Sequence, residues 1–85
     1  MSEKMLQALN EQMNFELYSG YIYLQMASYA DVEDYDGFAN WLIHQAHEEY
    51  EHAMKFRTFI LDMGGEPEWE AMEKPKAKYE SLLEI

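Results

Sequence analysis

Apolar side chains recur at helical spacing through Leu6, Leu9, Met13, Leu17, Tyr23, Leu24 and Ala27, and between 3 and 32 the only Gly or Pro is Gly20. That stripe predicts an amphipathic helix of about eight turns. Ser2 stands where an N-cap belongs, and the acidic stretch DVEDYDG (31–37) predicts a turn offering Asp34 or Asp36 as cap of a second helix. The second helix is predicted from about 35 or 37 to 63. Gly64 and Gly65 supply a left-handed stop there, and Pro67 prevents continuation. The remainder, 66–85, carries Pro67 and Pro75 and is predicted to be an extended tail with a short helix near 79–83. The domain reading is a two-helix hairpin over 1–65 followed by this tail.

Both stripes are interrupted at mid-helix. Steps of three and four along the second helix give Phe38, Leu42, Gln45, Glu49, His52, Phe56, Phe59 and Met63, which puts Glu49 and His52 on the seam. The same walk along the first gives Leu6, Leu9, Met13, Glu16, Gly20, Tyr23 and Ala27, with Glu16 as the polar intruder. In an antiparallel hairpin the two midpoints lie at one height, so Glu16 faces Glu49 and His52. A buried carboxylate needs a partner, and neither seam contains Lys or Arg. A divalent cation meets that need. Glu and His at i and i+3 project from one face, and oxygen with imidazole suits iron, manganese or zinc.

One hairpin supplies three such ligands and leaves an apolar strip through Leu6, Leu9, Leu42, Phe56 and Phe59 uncovered. A second copy on a twofold axis closes a four-helix bundle and brings four carboxylates and two imidazoles together, enough for two metals. The fold class is therefore all-α, an antiparallel helical hairpin that dimerises into a four-helix bundle. Without metal, the crowded carboxylates of Glu16 and Glu49 are expected to retain at least one proton above the usual Glu range.

Composition narrows the partners. Seventeen acidic against six basic residues give a net charge of -11, which repels nucleic acid and anionic lipid and attracts cations. Cysteine is absent, so thiolate metal sites and disulfides are excluded. No apolar run approaches the roughly 20 residues of a bilayer span, and the start MSEKMLQALNEQ is polar, so a cytoplasmic protein is expected. His44 and His47 flank the seam as surface or supporting residues, Met13 and Met63 read as packing, and Trp41 and Trp69 cover apolar surface.

ALNEQMNFELYSGYIYLQMASYA (8–30) resembles the first helix of prokaryotic ferritins, with the N-x-E-L-Y-S core at 14–19. GFANWLIHQAHEEYEHAMKF (37–56) resembles the second, ending in the E-E-x-x-H ferroxidase motif. The ligand constellation is itself the one that defines ferritin-like and designed di-iron bundles. The resemblance implies that Glu16, Glu49 and His52 ligate iron, with Glu49 bridging two metals, and that Tyr23 stands beside the centre. Glu48 matches a position that touches an additional iron site in some members. The implied activity is a ferroxidase, oxidising Fe(II) to Fe(III) with dioxygen or peroxide at a di-iron centre, for iron detoxification or storage. Bacterioferritins place a haem-ligating Met after the bridging Glu; Tyr50 stands there, so no haem is expected. Ferritin subunits continue into a third and fourth helix. Alternatives are a non-catalytic metal-binding dimerisation module, an N-terminal fragment of a full-length ferritin, or a rubrerythrin-like peroxidase, the last disfavoured by the missing cysteines.

Overall fold

Ser2 caps the first helix through its hydroxyl, which accepts the Met5 N–H at 3.1 Å. Helix α1 then runs Glu3–Val32 and α2 Asp36–Asp62. The computed structural model describes residues 1–79, and no strand occurs among them. The expected short helix near 79–83 lies outside the described residues except for Tyr79, which is not helical.

The turn corrects the expected cap. Asp34 adopts φ 64, and the Asp34 and Tyr35 N–H groups donate to the carbonyls of Asp31 (3.0 Å) and Ala30 (2.8 Å). Asp34 thus terminates α1 in the left-handed conformation that a short polar side chain tolerates, and is not free to cap α2. Tyr35 occupies the α2 N-cap with no side-chain hydrogen bond, while Asp36 falls in the first turn. There its charge meets the positive end of the helix dipole. At the other end Gly64 takes φ +82, and Gly65 donates to Ile60 at 2.9 Å, closing α2 as expected.

The helices pack through small residues. Gly20, Ala27 and Ala30 of α1 and Ala39, Ala46 and Ala53 of α2 are buried, with Met13, Leu42 and Ile60 filling the space between. A Cβ on Gly20 would stand 3.1 Å from the Ala46 carbonyl oxygen and 3.3 Å from Glu49 Cβ, so any side chain there would press α2 back by a few tenths of an ångström. One apolar cluster gathers Ala27, Ala30, Ala39 and Leu42 near the turn, and another gathers Met13, Ala53 and Ile60 near the opposite end.

On α2 the packed seam is rotated by about one residue from the expected stripe. Ala39, Ala46 and Ala53 are the buried positions of this seam, whereas Phe59 and Met63 are 46% and 47% exposed. Leu42 is buried at 1% exposure and does not belong to a bare strip. The uncovered side carries Ile22, Met26, Phe38 and Trp41 toward the turn, and Leu9, Phe56 and Phe59 away from it.

Residues after Gly65 double back along α1 as a strap. Asn10 Nδ2 donates to the Glu66 carbonyl (3.2 Å), and the Glu68 N–H donates to Asn10 Oδ1 (2.8 Å). Asn14 repeats the pattern one turn on: it donates to the Glu68 carbonyl (2.9 Å) and accepts from the Glu70 N–H (2.9 Å). Pro67 falls between the bonded residues, where its missing N–H costs nothing. The strap reaches the turn end, where Tyr79 meets Tyr29 with ring centroids 5.2 Å apart.

Candidate metal centre

Between the two apolar clusters, at mid-height of both helices, Glu16 comes from α1 and Glu49 and His52 from α2. His52 Nδ1 lies 3.6 Å from Glu16 Oε2 and 3.8 Å from Glu49 Oε2. One donor atom from each of the three residues lies within 4.8 Å of the others. Both carboxylate side chains are 18% exposed, and the imidazole, on the uncovered flank, is 48% exposed. Gln12 Nε2 donates to Glu16 Oε1 at 3.0 Å, fixing that carboxylate from the preceding turn.

The electrostatics of the pair are unequal. Hydrogen bonding with Glu49, then Gln12 and the nearby His52, holds the Glu16 carboxyl below the ordinary range against the opposing effect of burial. Glu49 is pushed up, first by its hydrogen bond with Glu16, then by burial and by the Glu16 charge. No Lys or Arg ion pair reaches either carboxylate among the described residues. Lys55, which the seam reading omitted, does line the adjoining hollow of about 370 Å³ together with Glu16, His52 and Phe59.

Two donors on one ion with bonds of about 2.1 Å stand about 3.0 Å apart when adjacent and about 4.2 Å when opposite. The separations of 3.6 and 3.8 Å fall in that interval. Hard carboxylate oxygens with one imidazole suit a divalent transition ion without any thiolate.

The other two sequence-derived site residues lie elsewhere. Tyr23 packs with the turn-end cluster and lines a separate hollow with Phe38 and Trp41. Glu48 pairs with His44 at 3.5 Å on the flank, both side chains largely exposed (49% and 72%). Sequence reasoning missed Gln12. Its position four residues before Glu16 is the signal that finds it.

A family model for the ferritin-like domain matches residues 6–85. The chain belongs to the ferritin-like family. It is 44% identical over 84 residues to a bacterial non-heme ferritin of Staphylococcus aureus (strain USA300), covering 99% of this chain and 51% of that protein. The non-heme ferritin of Staphylococcus epidermidis is likewise 44% identical. Among solved structures, an open pore ferritin from the hyperthermophilic archaeon Archaeoglobus fulgidus superposes with TM-score 0.94 at 47% identity, over 98% of this chain and 51% of that one. A humanized archaeal ferritin gives TM-score 0.95. The ferritin-like chain thus spans about half the length of the relatives it matches, as an all-α hairpin of the ferritin four-helix bundle fold.

Proposed function

We propose that this chain binds Fe(II) through Glu16, Glu49 and His52 and, paired with a second copy, oxidises it to Fe(III) for iron detoxification or storage in the cytoplasm. The observation that carries the reading is the convergence of two carboxylates and one imidazole on an uncovered flank, with no Lys or Arg paired to either acid among the described residues. Two such groups supply four carboxylates and two imidazoles for a di-iron centre, with Glu49 as the bridging ligand. The kinship with non-heme ferritins supports iron over manganese or zinc.

In this reading Fe(II) is the substrate. Two ions give up one electron each, and the pair passes to dioxygen, reduced to hydrogen peroxide, or to peroxide, reduced to water. The chain's part is to hold the ions close, about 3.5–4 Å apart in two-metal sites, and to surround them with anionic oxygens that favour the ferric state. Glu49 binds as the carboxylate. Gln12 keeps Glu16 aimed, while Tyr23 in the turn-end hollow and Glu48 beside His44 stand outside the trio. Tyr50 leaves no axial sulfur for haem at that position.

Anaerobic titration with Fe(II) followed by stopped-flow oxidation tests the reading. Expected are two ions per pair of chains, fast oxidation with oxygen consumed, and loss of both in Glu49→Ala with His52→Ala while helicity persists. Unchanged oxidation in that variant would place the chemistry elsewhere. Binding without oxygen consumption would make the protein a metal-holding module.

A further inference from the structure

The strap touches the hairpin at separate points. The Asn10 and Asn14 rungs grip its first half, Pro75 is buried further along, and Tyr79 closes the run against Tyr29 of α1. Lys74, Lys76 and Lys78 are exposed, so the extended chain turns Pro75 and Tyr79 inward. Tyr29 and Tyr79 are both half-buried, and their rings stand with centroids 5.2 Å apart and planes tilted by 60°. Lys76 Nζ lies 5.2 Å from the centre of the Tyr79 ring, so that ring is steadied by a cation as well as by its fellow phenol. A hollow of about 410 Å³ opens beside the pair and is lined also by Ser28, Glu33 and Lys78.

Any two rings would serve packing; two phenols in contact can also react with each other. Of the chain's seven tyrosines, these are the two whose rings meet among the described residues. Tyr21, Tyr35 and Tyr50 are exposed, without a second tyrosine ring in contact. We infer that Tyr29 and Tyr79 form an oxidative cross-linking site, at which hydrogen peroxide couples the two phenols into a dityrosine that fastens the strap to α1.

Each phenol gives up its hydroxyl hydrogen as one proton and one electron. The two phenoxyl radicals join through a ring carbon next to each C–O carbon, and the hydrogens on those carbons then move to the oxygens. Two tyrosines and one peroxide thus become one dityrosine and two waters, with the peroxide O–O bond broken and iron as the one-electron carrier. The rings need to close by less than one carbon–carbon bond length, and their tilt suits a biaryl, whose rings are twisted about the new bond. Glu33, in the same hollow, offers a carboxylate to take a phenolic proton. Tyr29 stands thirteen residues along α1 from Glu16, about 20 Å, so the oxidant reaches it through solvent and not through the ligands. The inference rests on the iron reading for the source of peroxide, which two Fe(II) yield from dioxygen; the meeting of the rings does not depend on it.

Photolysed tris(bipyridine)ruthenium(II) with persulfate oxidises tyrosine one electron at a time and needs no bound iron. Treated so in dilute solution, the chain should lose two hydrogen atoms in mass, gain the blue fluorescence of dityrosine, and give a peptide joining the segment around Tyr29 to that around Tyr79 of the same chain. Tyr29→Phe and Tyr79→Phe keep a ring for packing, so each should lose this link with helicity unchanged. After native cleavage following Glu70, the tail should stay attached to α1 in linked chains and separate in Tyr79→Phe. Links formed only between chains, or a parent that oxidises without joining these two segments, would overturn the inference whatever the variants do. In a second arm the chain turns over Fe(II) in air, where the same link should form and catalase should suppress it. Iron oxidised without the link would also overturn the inference. A link under ruthenium with no iron oxidation in air would unseat the iron reading and leave the tyrosine site standing.

Discussion

Glu16 and Glu49 sit opposite each other across the hairpin, and the hydrogen bond between them displaces their acidities in opposite directions, Glu16 down and Glu49 up. As pH rises Glu49 is the later of the two to lose its proton, and a cation competes with that proton for the carboxylate. Affinity for Fe(II), or for Zn(II) as a redox-silent stand-in, should therefore begin to weaken with falling pH while the medium is still above 4.5, the ordinary Glu value. Calorimetry in buffers of different ionisation enthalpy should detect proton release on binding. A pH-independent affinity across the mildly acidic range would contradict the pairing.

The same displacement fixes the sign of apo stability. Glu49, with its folded value raised, contributes stability at low pH that is lost as pH rises through that value. Glu16, with its folded value lowered, contributes stability above the ordinary range that is lost as pH falls through its folded value. At neutral pH the penalty is therefore on Glu49, not on Glu16, which keeps the Gln12 hydrogen bond. In chelator at pH 7, Glu49→Gln should melt higher than the parent, by about 4–8 °C if about 1 kcal/mol of repulsion is relieved. Glu16→Gln should gain less. Thermal melts that rank the two variants the other way would move the strain to α1.

Gly20→Ala tests the close approach beneath the ligands. Its Cβ would meet the Ala46 carbonyl oxygen and Glu49 Cβ at 3.1 and 3.3 Å, neither of them a flexible side-chain end. The helices must part, at a cost of about 1–3 kcal/mol. Glu49 moves with α2, so Zn(II) affinity should fall in the same variant. A stable Gly20→Ala with unchanged affinity would mean that the contact is readily relaxed.

Asn14→Ala removes two hydrogen bonds to the strap and one to the Asn10 carbonyl, a loss of about 1–2 kcal/mol. Helicity should persist while cleavage by a glutamate-specific protease after Glu68 or Glu70 accelerates severalfold. Unaltered digestion would show that the strap is held mainly by its later contacts, such as Tyr79 on Tyr29.

The helices and the meeting of Glu16, Glu49 and His52 were legible because each depends on local pattern: caps and glycines mark the ends, and a carboxylate in an apolar stripe stands out. The α2 seam was misread because Ala carries little hydropathic weight, yet Ala39, Ala46 and Ala53 set how near the backbones come. The strap was illegible for another reason. Asn10 and Asn14 lie where the pattern reads solvent, and their partners are backbone groups more than fifty residues away, which leave no mark on hydropathy.

That pair of asparagines acts as a vernier. Four residues of helix advance about 6.0 Å and two of extended chain about 6.6 Å, so the scales coincide over a couple of rungs and then drift apart. The next position, 18, is Tyr, and no third rung forms there. Because the rungs grip peptide groups and not side chains, the segment 66–70 tolerates substitution but not a change of length. One residue inserted between Gly65 and Glu68 would offer each asparagine the wrong set of amides.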